Sequence, residues 1–271
     1  MGDQCLKVKF VVTGFGPFGG VLENPTSWLV ARLAELSQSS ELPFSCHCCQ
    51  LETSATGCTE QLRALQQKVR APQNGVVVWV HLGVHGSAKE YRLEFQAYNC
   101  ADFRIPDVRG QVLTNEVIDP CVSKSVKHVL RTSLPLQQIL KRLDVVGCPA
   151  YLSSDPGRFL CNYAYYRSLA WTSKRPNHAS LFLHVPPFAH TGAHCHAQLA
   201  FLRGLLDTIQ AVVTSPSRLK AGVSLRGLKT IQHMGGVAES KQYAAVAVRK
   251  PAAKLSKKGS RRGVRKSSAK P

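Results

Sequence analysis

The sequence predicts an α/β protein: a three-layer α/β/α sandwich around a mostly parallel sheet, in a single domain followed by a basic tail. Three observations carry this reading. Along the first 213 residues, short apolar runs alternate with segments of helical periodicity, the order expected when strands and helices take turns building a parallel sheet. The run "NGVVVWVHLGVHG" (74–86) is continuously apolar and bounded by glycines, as expected of a central strand covered on both faces. Finally, 271 residues with 44% apolar content are enough to bury a core.

The elements follow in order. "KVKFVVTGFG" (7–16) reads as a buried strand ending in glycine turns, and "TSWLVARLAEL" (26–36) as a helix with Thr26 or Ser27 as its cap. "FSCHCCQLET" reads as a second strand and "CTEQLRALQQKV" (58–69) as a second helix. After the central strand, "PLQQILKRL" (135–143) is a helix opened by proline, and "PAYLSSD" is an edge or late strand. "NYAYYRSLAW" is a helical stretch opened by Cys161. "ASLFLHVPPF" (179–188) is another central strand, stopped by Pro186 and Pro187, and "CHAQLAFLRGLLDTIQAVV" (195–213) is a long amphipathic helix. Active sites in such sheets lie beyond the carboxyl ends of the strands.

The net charge of +19 is unevenly spread. From Thr214 to Pro271 there are fifteen Lys and Arg against the single acid Glu239, a net of +14, which leaves +5 for residues 1–213. The organisation expected is therefore a folded domain over 1–213, an extension of uncertain structure over 214–248, and a tail over 249–271. That tail is too poor in apolar residues to offset its ordering entropy and is expected to be disordered. A polyanion contact is the function its charge suggests.

Ten cysteines in a chain of this length fall well below the density of a disulfide scaffold. The start "MGDQCLKVKF" shows no apolar signal region, Leu6 stands where a myristoylation motif wants Ser or Thr, and no stretch approaches the length of a membrane span. The expectation is a reducing, cytoplasmic compartment with free thiols.

Three strand ends converge on one chemistry. Cys161, after "DPGR", stands at the start of a helix, where the partial positive charge of the helix terminus lowers a thiol pKa. His184 ends a strand directly before two prolines and can act as base. Glu94, in "YRLEFQAYN", lies beyond the glycine-rich end of the strand 76–84, on the right side of the sheet to orient an imidazole. Taken singly, each has a plainer reading: Cys161 as a small core residue, His184 as a polar strand end, Glu94 as a solvated charge.

Together these residues lie in a series of ordered motifs: "VVTGFGPFGGVLENPTSW", "HLGVHGSAKEYRLEFQAYN", "RIPDVRG", "TSLPLQQILKRL", "SSDPGRFLCNYAYY" and "FLHVPP". In order and spacing this series resembles the pyroglutamyl peptidase I family of cysteine peptidases over about residues 8 to 210. The resemblance implies an α/β/α fold and an exopeptidase that removes N-terminal pyroglutamate from peptides, with Glu94, Cys161 and His184 as the triad and with no metal or cofactor. It places Phe15 and Phe18 as aromatic walls around the lactam ring, Asn24 near that pocket, and Arg104 near the active site, where a structural salt bridge is its other reading. An uncharged flat lactam suits aromatic walls with one or two polar contacts. "GFGPFGG" lacks the lysine and spacing of a phosphate-binding loop.

Two departures stand out. Val84 occupies a position where bacterial members often carry Gln, and 111–132 keeps little of the motif pattern, which leaves the lid and the oligomeric state open. "CHCC" (46–49) and "HTGAHCH" (190–196) hold metal-ligand residue types, but without paired C-x-x-C spacing, and strand neighbours in the first point to opposite faces. The alternative to an enzyme is a binding protein on a peptidase fold whose basic tail docks on nucleic acid or another polyanion; a purely solubilising tail is the third reading.

Overall fold

The computed structural model describes residues 6–19, 23–188 and 192–215. The chain runs β1 (Lys7–Phe15), α1 (Pro25–Gln38), β2 (Ser45–Leu51), α2 (Ala55–Lys68), β3 (Gly75–Val84), β4 (Tyr91–Glu94), β5 (Gln96–Tyr98), β6 (Val129–Arg131), α3 (Leu136–Val145), β7 (Ala150–Ser153), α4 (Leu160–Thr172), β8 (His178–Val185) and α5 (Gly192–Val213). Six strands form one sheet in the order β2-β1-β3-β8-β4-β7, and β5 and β6 pair as a separate antiparallel ribbon. The strands β2, β1, β3 and β8 are mutually parallel, whereas β4 runs antiparallel to β8 and parallel to the edge strand β7. The sheet is thus mostly parallel.

Side-chain alternation along β3 explains the three layers. Val76, Val78, Val80 and Leu82 join the core shared with α1, α3 and α5, while Val77 and Trp79 join the core shared with α2 and α4. A strand whose successive residues enter two different cores has no polar face, so it reads as a continuous apolar run. β1 behaves alike: Phe10 and Val12 face the first core, Val11 and Phe15 the second.

Helix starts depart from expectation in instructive ways. α1 is capped by Asn24, whose side chain accepts from the Thr26 N–H at 3.0 Å, with Pro25 in the first helical position. The expected cap at Thr26 or Ser27 is therefore displaced: proline at the first position tolerates the loss of an N–H that has no helical partner there. α2 begins at Ala55 rather than 58, because Ser54 accepts the Gly57 N–H at 3.0 Å. α5 starts at Gly192 rather than 195. "PAYLSSD" does form the edge strand, as β7. The expected extension and tail lie outside the described residues from 216 onward.

Candidate active site

The carboxyl ends of β1, β3 and β8 and the antiparallel β4 bring the predicted residues to the face covered by α2 and α4. Cys161 is in the first turn of α4, whose start carries no side-chain cap. Asn162 anchors that turn: its Oδ1 accepts the Tyr98 N–H at 2.8 Å, and its Nδ2 donates to the carbonyls of Tyr98 and Cys100, both at 2.9 Å. Beneath the thiol lies Gly83, opposite His184 in the register of β3 and β8. A Cβ on Gly83 would come within 2.8 Å of the Cys161 Sγ and 2.7 Å of the Phe182 ring. The glycine is what lets the sulfur approach the sheet.

His184 and Glu94 are both buried, and the His184 Nδ1 donates to the Glu94 Oε1 at 2.7 Å. That bond leaves Nε2 for the Cys161 side, where the thiol is near enough to influence the imidazole's protonation. Burial alone drives the His184 pKa down. The charge and hydrogen bond of Cys161, followed by the hydrogen bond and charge of Glu94, outweigh it and hold the imidazole up at about 9. Tyr165 fixes the backbone under Glu94 by donating its hydroxyl to the Glu94 carbonyl at 2.8 Å. The Phe182 ring lies 4.9 Å from His184. Thiol, imidazole and carboxylate are thus brought together at one end of the sheet, an arrangement that can carry covalent acyl transfer.

The remaining predicted residues are distributed around this chain. Phe18 is half-buried, and its ring neighbour among the described residues is Phe159 at 6.4 Å, which in turn meets Phe103 at 4.8 Å. Phe15 is buried in the core with α2 and α4. Asn24 donates to the Gly16 carbonyl at 2.9 Å as well as capping α1, so it ties the "GFG" turn to the helix. Arg104 is exposed and forms no ion pair among the described residues, so the structural salt bridge is not its role here. Its neighbour Ile105 borders Gly19 across the loop. Val84 points to the opposite layer and packs against the core of α1, α3 and α5.

Residue-by-residue reading missed Asn162, Tyr165, Gly83 and His85. The His85 ring stands edge-on to His184 with centroids 5.6 Å apart, its Nε2 3.5 Å from Arg92 Nη1. Burial, and then the neighbouring His184 and Arg92 cations, lower the His85 pKa. The period-2 pattern of β3 was the available signal, since 83 and 85 share the face of Trp79.

No group of three or more potential metal ligands assembles among the described residues. Cys46 and Cys48 lie 3.5 Å apart on the α1 side of β2, and Cys49 faces the other core. The described cysteines are free thiols, and among the described residues no helix is long and apolar enough to cross a membrane.

Known proteins resemble this chain in sequence and in fold. A family model described as pyroglutamyl peptidase matches residues 8–200. The chain is 31% identical over 180 residues to the pyrrolidone-carboxylate peptidase of Pyrococcus furiosus, covering 66% of this chain and 81% of that one. It is 30% identical to the enzyme of the same name from a Streptococcus pyogenes M12 strain, covering 66% and 78%. Among solved structures, the pyrrolidone carboxyl peptidase of Fervidobacterium islandicum superposes with a TM-score of 0.65 at 26% identity, covering 75% of this chain and 99% of that one. For the Thermus thermophilus counterpart the TM-score is 0.61 at 29% identity, covering 73% and 99%.

Proposed function

This chain belongs to the pyroglutamyl peptidase family, and from that membership we propose that it removes N-terminal pyroglutamate from peptides, with Cys161 as nucleophile, His184 as acid and base, and Glu94 as the group that orients the imidazole. The observation that supports the assignment most directly is the buried His184–Glu94 hydrogen bond at 2.7 Å, on a strand position paired with Gly83, over which the Cys161 sulfur at the start of α4 sits. The Cys161 thiolate attacks the carbonyl joining the lactam to the next residue. Negative charge develops on that oxygen near the amides of the first turn of α4, where the helix dipole stabilises it. His184 donates its Nε2 proton to the departing amine, which leaves a thioester on Cys161. The now neutral imidazole takes a proton from water, hydroxide attacks the thioester, and 5-oxoproline departs as the thiolate and imidazolium re-form.

Phe18, with Phe159 and Phe103 behind it, supplies the apolar wall for the lactam; Phe15 shapes the floor from the core side, and Asn24 holds the loop that carries Phe18. Arg104, exposed next to the Ile105 that borders Gly19, is the proposed basic residue near the substrate. The chain works as a hydrolase in a reducing, cytoplasmic setting, without a cofactor. The comparisons give no support to the alternative of a pure binding protein. A polyanion contact through 249–271 is an additional proposal for the tail.

The test is hydrolysis of a pyroglutamyl amide of a fluorescent amine beside the matching prolyl amide. The lactam is neutral, whereas prolyl substrates carry a cationic amine that an aromatic pocket leaves unpaired. Strong preference for the pyroglutamyl amide is expected. Comparable rates on both would overturn the pocket assignment.

A further inference from the structure

At the end of the sheet opposite to Cys161, a cavity of about 810 Å³ opens between the C-terminal halves of α2 and α4, bordered by His178 at the start of β8. Its walls carry Arg63, Arg70, Arg167, Lys174 and Arg175 against the single carboxylate of Asp119. One oxygen of that carboxylate already accepts the Cys121 N–H at 3.0 Å. None of the five cations forms an ion pair among the described residues.

Two of them are half-buried. Arg167 donates to the Ile118 carbonyl at 3.3 Å and lies 5.8 Å from the Tyr163 ring centroid. Arg175 donates to the Trp171 carbonyl at 3.0 Å and lies 3.9 Å above the Trp171 ring. A guanidinium withdrawn from water is ordinarily paired with a carboxylate or phosphate, which fits its fork of donors. Among the described residues both have only a carbonyl and a ring.

Beyond Ser215 the sequence holds fifteen Lys and Arg against the one acid Glu239, a composition that adds cations far more than anions. Leu62, Ala170 and Trp171 add apolar wall between the cations. The volume is in the range of small-molecule sites. We propose that this cavity binds an organic polyphosphate of about nucleoside triphosphate size, with its phosphates on Arg63, Arg167, Arg175 and Lys174 and its organic body against Leu62 and Ala170. The site lies away from the peptidase centre and does not depend on the activity assigned there.

Calorimetric titration of the full-length protein with ATP, tripolyphosphate and adenosine tests it, at about 50 and about 300 mM salt. One ATP per chain is expected, weakened by salt, with adenosine and tripolyphosphate both weaker. The double variant Arg167→Gln, Lys174→Gln should lose at least about tenfold in affinity, while Lys141→Gln, Arg142→Gln on α3 should not change it. Attraction by the basic tail alone would be blind to the first pair. Equal binding by parent and that variant, or no saturable binding, overturns the proposal, and tripolyphosphate binding as tightly as ATP overturns the organic body. If the first double variant does not fold, Arg63→Gln, Arg70→Gln, both exposed, asks the same question of the same cavity.

Discussion

His184 is where opposing effects are decided. Burial favours the neutral ring, yet the charges and hydrogen bonds of Cys161 and Glu94 win and place its pKa at about 9. A raised pKa means that the proton stays on through neutral pH and is lost only as pH climbs through about 9. kcat/KM for a neutral substrate should therefore fall on the alkaline side with a midpoint near that value, since the leaving amine loses its proton donor. Glu94→Gln removes one of the influences that raise the pKa, so the midpoint should move to lower pH. The same variant should lose at least about tenfold in kcat with similar KM and a melting temperature within a few degrees of the parent. An unmoved alkaline limb with unchanged kcat would reduce Glu94 to a structural residue. Cys58 is a useful contrast to Cys161: it is fully buried, and burial pushes its thiol up to about 12. Iodoacetamide should label Cys161 well before Cys58, with activity lost in proportion, and equal labelling would contradict the assignment.

Elements place these residues through two close approaches. At Gly83, a methyl group would intrude on both the Cys161 sulfur and the Phe182 ring. Gly83→Ala should thus cost far more in kcat than in stability, measured by steady-state kinetics beside thermal melting; a fully active Gly83→Ala would mean that the sulfur does not work from this position. At Asn24 one side chain both caps α1 and holds the Gly16 carbonyl. Asn24→Ala should cost about 1 kcal/mol, typical of a lost cap, and raise KM by loosening the loop that carries Phe18. Unchanged KM would leave Asn24 as a cap alone. The central strands and the helices were legible in the sequence, because β3 and β8 are apolar on both faces and helical periodicity is sustained in α1 and α5. β4, β5 and β6 were not: they are three or four residues long, and β4 is specified by partners at 150–153 and 182–184 rather than by its own pattern. Glu94 was legible as a carboxylate beyond the glycine-rich end of β3 and through the motif series, whereas the antiparallel strand that delivers it emerged from the structure. Gly83, Asn162 and Tyr165 escaped because their roles are contacts to distant backbone and side chains, which spacing does not encode.

For the whole molecule, charge and chemistry separate. Residues 1–213 carry +5 of the net +19, and α5 closes the core with buried Val212 and Val213, followed by Thr214 and Ser215, which hydrogen-bond back to Gln210 and Val212. We expect truncation after Ser215 to leave hydrolysis of a neutral substrate within a few-fold of the full chain while heparin binding falls sharply; insolubility would mean that 216–248 completes the fold. The central claim, that a lactam pocket delivers its substrate to Cys161, is tested most directly by affinity labelling with pyroglutamyl chloromethyl ketone, the prolyl analogue as control, and mass spectrometry of the digested protein. The account predicts one adduct, on Cys161, formed faster by the pyroglutamyl than by the prolyl reagent and slowed by His184→Ala. An adduct on another residue, or equal rates with the two reagents, would contradict it.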